Sequence, residues 1–388
     1  MDHNTLRELR VHKNAWSGFS GLLLAVLAAS VGEAQDGAIV YRLGKDTVAI
    51  ERFSRSATRM TGEMVTRSGA AVLRTSYDMT IAGGRVTAAT VKRMNADGAP
   101  LPNTPTEYRF AFAADSATRT LVFADSQPSR KFAAPSAFPS LPVFIYAPLE
   151  LLRGARRDSA PALGVAGNNV GLIALDKAGG DTLRLRAPGN YAMDLTFDAT
   201  GRLQRVDGSY TTNKAIGTRV STSVDIAAIA KTMKPTGVLS PRQTAYAAFA
   251  QGPITVNYGS PAVRDRSVWG GTLVPFDTVW RTGANEAAHL ATSKNIQFGD
   301  LTVPAGLYTI WIQHTRTGTS LIINKQVGQW GTGYNPANDL GRVPLTLAAT
   351  PSHVEDFTIT IRPLPQARGA IDFAWGDRVA TAQFTVRP

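Results

Sequence analysis

Beyond residue 37 the chain alternates apolar and polar residues with period two, run after run, the signature of strands with one buried face. The first runs are 38–43, 47–53, 60–66, 71–81, 85–94, 108–113 and 120–124. Turn residues separate them: Gly44-Lys45-Asp46, Ser68-Gly69 and Gly83-Gly84, the last a two-residue hairpin signal. The stretch 95–106 is a Pro-containing loop, and 135–148 is too rich in proline and aromatic residues for a regular strand. Within it, 147–153 (APLELLR) has proline near its start and Gly154 after its end, which predicts one short helix. Alternation then resumes over 169–175, 182–187, 191–197, 203–212 and 218–226. Strands, helix, strands predict a curved antiparallel sheet or open barrel over 35–228, plugged or crossed by the helix. Its interior either encloses a cavity for an apolar ligand or is filled by side chains.

The segment 229–239 reads as a linker, because Lys234-Pro235 and Gly237 break regular structure. From residue 240 come ten short runs: 254–258, 272–274, 289–292, 295–298, 308–315, 320–324, 343–348, 357–362, 370–375 and 380–386. Short strands at that spacing predict a β-sandwich over 240–388, with 331–341 as its one long irregular loop. The whole chain is therefore expected to be all-β.

The first 34 residues break the pattern. Arg7, Arg10 and Lys13 precede the apolar run 22–29, and Gly32-Glu33-Ala34 sets small residues at a cleavage site. This predicts a secretory signal peptide cut after Ala34, and hence a periplasmic or extracellular protein with no membrane span afterwards. The competing reading, an uncleaved anchor, has only the 16-residue stretch 16–31, interrupted by serine and glycine, against the ~20 apolar residues a spanning helix needs. The chain has no cysteine, which excludes disulfides, thiolate nucleophiles and Cys-ligated metals. Its net charge of +12 lies mostly before residue 236. The basic residues are scattered singly and no nucleic-acid-binding motif accompanies them, so a solvated sheet face is expected rather than a nucleic-acid partner.

The region 240–388 resembles a bacterial family, domain-of-unknown-function family 2911. The residues that carry the resemblance include Ser240-Pro241-Arg242, Arg266, GTLVP at 271–275, VWRTGANE at 279–286, AGLY at 305–308, Asn324-Lys325, Trp330-Gly331 and Arg342-Val343. His289 and His314 depart from the family pattern. The resemblance implies an exported protein and no known reaction.

Within VWRTGANE, Arg281, Asn285 and Glu286 are the strongest candidates for chemistry. Arg281 and Glu286 can pair across the loop. The three either satisfy backbone groups in a loop corner or form a polar cluster with Arg266, Asn324, Asp339 and Arg342 that holds an anionic or sugar-like ligand. Trp269 and Trp330 flank glycines and are candidates for stacking on a sugar ring, whereas Trp311 and Trp375 read as core. NEAAH at 285–289 lacks the first histidine of a zinc-protease motif, and 335–341 lacks the spacing of an EF-hand, so no metal and no cofactor is expected. Serine-hydrolase, nucleotide-phosphate and dinucleotide motifs are missing. These readings favour a non-catalytic, ligand-binding or envelope-associated module whose partner is a small molecule, glycan or envelope component. The alternatives are a hydrolase or lyase acting on an envelope polymer, with Glu286 as acid/base and Arg281 binding an anion, and a structural protein that docks a partner.

Overall fold

The computed structural model describes residues 35–387 apart from 166, 188–190, 210, 212–213 and 222–223. The expected signal peptide lies outside the described residues. The alternating runs before residue 221 form one fifteen-stranded sheet. Its first strand, Gln35–Leu43, pairs antiparallel with its last, Ile216–Val220. From that central pair the chain runs outward on both sides, to Ser129–Ala133 at one edge and Phe138–Ser140 at the other. Neighbours are antiparallel except Phe138–Ser140, which lies parallel to Ser159–Gly164. Among the described residues no ladder joins the two edges, so the barrel stays open. Arginines span the ends instead. Arg119 donates to the Gly164 carbonyl at 3.0 Å, and Arg85 donates to the Ser136 hydroxyl at 2.7 Å.

Side chains fill the interior. Met60, Met79, Met193 and Leu163 are fully buried there, packed with Leu152 of the short helix Leu149–Gly154. That helix is the predicted plug, and two buried carboxylates fasten it. Glu51 points inward between Ala49 and Phe53. It accepts hydrogen bonds from the Tyr41 and Tyr77 hydroxyls at 3.2 and 2.9 Å and from the Tyr146 and Ala147 amides at 3.0 and 3.2 Å. Glu150, on the helix, accepts from Arg219 at 2.7 Å and from the Leu203 amide at 2.8 Å, with Arg55 3.8 Å away. Burial outweighs the four donated bonds at Glu51 and pushes its pKa up to about 7. Burial, and then the charge of Glu51, holds the Tyr41 and Tyr77 hydroxyls well above the usual phenol range.

A second helix, Ile226–Thr232, occupies the start of the stretch that reads as linker and the end of the run 218–226. Asp225 caps it by accepting from the Ala228 amide at 3.0 Å. Ile226 and Ala230, one turn apart, cover Ile50, Val65 and Val72 on the outer face of the sheet. The chain thus has two short α-helices among the described residues, one more than the sequence predicts.

The C-terminal strands form a ten-stranded sheet folded over itself as a sandwich. The fold is made by a long hairpin, Asp339–Leu364 and Arg368–Val386, whose register shifts between Ala349 and Thr358. Four runs in the sequence are therefore two strands. Pro351 and Ser352 suggest an interruption, but the chain bends while staying extended. Trp280, Phe357, Phe373 and Trp375 pack between the layers. Trp280 and Trp375 stack 5.5 Å apart at 17°. No helix among the described residues is long and apolar enough to cross a membrane.

The role of Glu51 yields a stability test. Its folded pKa lies above the unfolded 4.5, so its contribution is fully present below pH 4.5 and is lost as pH rises through about 7. Glu51→Gln keeps an acceptor for the two amides and is expected to fold while flattening that pH dependence. Glu51→Leu strands buried donors and is expected to lose about 1–3 kcal/mol for each one left unpaired. Denaturant unfolding at pH 5 and pH 8 reads both. A pH dependence unchanged in Glu51→Gln contradicts the assignment.

Candidate functional site

The loop 281–286 leaves the short strand Val279–Trp280 and turns sharply. Gly283 sits at φ 145°, and a β-carbon there would lie 2.6 Å from the Gly259 carbonyl oxygen. Only glycine fits at so close an approach. Asn285 is at φ 65°, and its carbonyl accepts from the Gly331 amide at 2.9 Å and from Arg281 Nη1 at 3.3 Å. The corner is thus built from backbone, with the Arg281 guanidinium braced across it. Thr282 is fully buried at φ 52°, and its hydroxyl has no hydrogen-bond partner.

This corner faces the open barrel. The two sheets meet at the hairpin turn Gly44-Lys45-Asp46. Arg264 pairs with Asp46, and Lys45 with Asp265 at 3.4 Å. Gly44 is at φ 60° and lies so close that a β-carbon would sit 1.9 Å from the Arg264 carbonyl oxygen. Arg67 draws in the connecting segment by donating to the Lys234 and Pro235 carbonyls. Between these contacts lies a cleft of about 450 Å³. Its apolar walls include Leu43, Val48, Phe144, Leu273, Trp280 and Trp375, and its charged lining is Arg67, Lys214, Arg264, Arg266 and Arg281. No carboxylate is among its described lining residues.

Four of those cations, Arg67, Lys214, Arg266 and Arg281, form no ion pair among the described residues, although the charge of Glu355 reaches Arg266. Lys214 donates to the Ser209 and Thr272 carbonyls at 3.1 and 3.3 Å. Arg266 donates to the Val263 and Ala262 carbonyls at 2.9 and 2.7 Å. Arg281 donates only to the Asn285 carbonyl. Burial, then the charges of Arg281 and Arg266, lowers the Lys214 pKa to about 8. Burial, then Arg264, lowers Arg266 to about 10, and burial lowers Arg281. The site is an electropositive, partly buried pocket. Backbone strain gathers there too: Phe144, Lys214, Arg264 and Asn285, all in the lining, have φ of 72°, 48°, 50° and 65°.

The residues picked out in the sequence separate into groups. Arg266, Arg281 and Asn285 share the cleft. Glu286 is not in its lining, and the expected Arg281–Glu286 pair does not form. Glu286 is 56% exposed and lies 3.5 Å from Arg242, because the strained turn at Asn285 sends the two side chains apart. Asn324, Asp339 and Arg342 meet elsewhere. Asn324 is buried and donates to the Asn335 carbonyl and to Asp339 at 2.9 and 2.8 Å, while Asp339 accepts from Tyr334 and lies 3.6 Å from Arg342. That cluster fastens the loop 325–338. Trp330 is 48% exposed, but Trp269 is half-buried and donates to the Trp375 carbonyl at 3.1 Å. His289 accepts from the Gly328 amide at 3.0 Å, and His314 is buried beside Thr319. Lys214, Arg264 and Arg67 are cleft residues that sequence reading misses, since nothing local distinguishes them from other scattered basic residues.

Residues 240–384 match a family described as a protein of unknown function (DUF2911), as the C-terminal sequence predicts. No curated protein matches the chain. A solved structure, described as "Cell entry of botulinum neurotoxin type C is dependent upon interaction with two ganglioside molecules", aligns at 9% identity over 92% of this chain and 87% of its own. Its TM-score is 0.13, which is no likeness in fold.

The geometry gives two testable outcomes. Between its folded pKa of about 8 and its ordinary 10.5, Lys214 is protonated in the unfolded chain but not in the folded one, so it makes stability rise with pH across that window. Unfolding midpoints at pH 8 and pH 9 should rise in the wild type relative to Lys214→Met, and parallel behaviour contradicts the assignment. Gly44→Ala should cost at least about 1–3 kcal/mol by straining or opening the junction. Denaturant unfolding reads that loss, and a change near zero would show that the two sheets do not meet this closely.

Proposed function

We propose that this protein is an exported, non-catalytic binding module of the cell envelope, and that it takes a small anionic ligand in the cleft between the open barrel and the sandwich. The observation that carries the reading is the convergence of Lys214, Arg266 and Arg281, none in an ion pair among the described residues, on one cleft without a carboxylate in its described lining. Bringing like charges together in a partly buried site is unfavourable unless something compensates. A bound anion would compensate all three, with charge-assisted hydrogen bonds in a low-dielectric setting. The leader at 1–34, read from sequence, supports export.

The hydrolase alternative has less support. It needs Glu286 beside Arg281, whereas Glu286 lies beside Arg242 and is half-exposed. Lys214, despite its lowered pKa, has two of its hydrogens held by carbonyls, which suits it to donate to an anion rather than to take up a proton from a substrate.

Thermal unfolding with sulfate, phosphate, a dicarboxylate and neutral sugars tests the reading. A ligand at 100 times its Kd stabilises by about 2.7 kcal/mol, which is readily seen as a rise in Tm. Anions should raise the Tm, Arg281→Gln should abolish the rise, and Glu286→Gln should leave it unchanged. Stabilisation by neutral sugars alone, or a rise unaffected by Arg281→Gln, contradicts the site.

A further inference from the structure

The donors left free in the cleft, and the walls around them, narrow the ligand further, an inference that rests on the anion-binding reading. Among the described residues Arg281 bonds through Nη1 alone, to the Asn285 carbonyl, and its Nε–Nη2 edge has no partner there. That edge is the one that grips an oxyanion through two parallel hydrogen bonds. Arg266 commits Nε and Nη2 to carbonyls and keeps Nη1. Lys214 has two of its three ammonium hydrogens on carbonyls and keeps one. Donors from three side chains suit the three terminal oxygens of a phosphoryl group better than the two of a carboxylate. Three cations outside any ion pair among the described residues also match a dianion better than a monoanion.

The rest of the described lining sets apolar side chains beside Arg67, Arg264, Asn285, Thr236 and Ser240. Phe144, Val238 and Leu239 keep apolar surface toward the cleft, which offers a free inorganic ion nothing, while Leu43, Val48, Leu273, Trp280 and Trp375 of the lining are themselves buried. Phe144 is a bulky residue held at φ 72°, with its ring 5.1 Å from Tyr41, the donor to Glu51. A large side chain in that conformation is costly and persists only where its surroundings impose it. Here it sets an aromatic wall between the barrel interior and the cleft. About 450 Å³ accommodates a compact body of one or two rings and is too small for a two-chain lipid.

We propose that the cleft binds a small phosphomonoester carrying a compact apolar, ring-sized body, its phosphoryl group held by Arg281, Arg266 and Lys214 and its body against the aromatic and aliphatic walls.

Isothermal titration of the purified chain in a phosphate-free buffer tests this with four probes: 1-naphthyl phosphate, 1-naphthoate, 1-naphthol and inorganic phosphate. The expected result is that 1-naphthyl phosphate binds at least tenfold more tightly than inorganic phosphate or 1-naphthoate, and that 1-naphthol does not bind. Arg281→Gln should weaken 1-naphthyl phosphate at least tenfold. Leu239→Gln, at a half-buried position in the cleft wall, should weaken 1-naphthyl phosphate while leaving inorganic phosphate unchanged. Unfolding midpoints confirm that each variant is folded. Equal affinity for inorganic phosphate and 1-naphthyl phosphate overturns the apolar body and leaves the anion site standing. Equal affinity for 1-naphthoate overturns the phosphoryl head in the same way. No binding by any anion overturns both the inference and the reading beneath it.

Discussion

A carboxylate cut off from water organises the N-terminal half of this protein. Glu51 projects from the second strand into the open barrel and gathers two tyrosine hydroxyls and two backbone amides. Those amides belong to Tyr146 and Ala147, at the entrance to the plug helix, which would otherwise carry buried donors without acceptors. Glu150 repeats the arrangement from the other side, reaching from the helix to Arg219 on the last strand. An open barrel has no closing ladder to fix its curvature, so its shape depends on what is tied across its interior. These two acids tie the central strands of the sheet to one helix.

The consequences reach the cleft. Phe144 lies two residues before the Tyr146 amide that Glu51 holds, and its ring packs on Tyr41, which Glu51 also holds. The wall that the barrel offers the sandwich is therefore positioned by the buried network. The sandwich supplies the opposing wall through Trp280, Trp375 and the strained corner at 281–286. The junction is held by few groups, chiefly Gly44 against the Arg264 carbonyl and Arg264 on Asp46. Cations from both halves meet in the space that remains, Lys214 from the barrel and Arg266 and Arg281 from the sandwich. An anion bound there would bond to both halves at once.

Much of the fold is legible in the sequence because half-buried strands obey a period of two. The plug helix is also legible, from Pro148 and Gly154 around a short leucine-rich turn. The phase of alternation even places Glu51 on the inner face between Ala49 and Phe53, a signal that could have marked it as a buried acid. The helix after Asp225 is harder to see, because seven residues reading IAAIAKT match the end of a strand as well as about two turns of helix. The hairpin 339–386 reads as four strands because the runs break at 349–356 and 376–379, whereas the chain only shifts register there. Of the site, Arg281 is visible through the Gly-containing loop that follows it, and Arg266 through the family resemblance. Their partner Lys214 is not, because it joins them through the docking of two sheets, and no local pattern encodes that contact. Glu286 is prominent in the sequence and peripheral in the structure for a local reason, the left-handed turn at Asn285.

Everything proposed for the cleft depends on three cations from two sheets forming one anion site. Anomalous diffraction from crystals soaked in selenate, a tetrahedral oxyanion with a scattering atom that can be located directly, tests this most simply. The strongest selenium peak is expected in the cleft, within hydrogen-bond reach of Arg281 and Lys214. Peaks only on the scattered surface arginines, with the cleft empty, would contradict it.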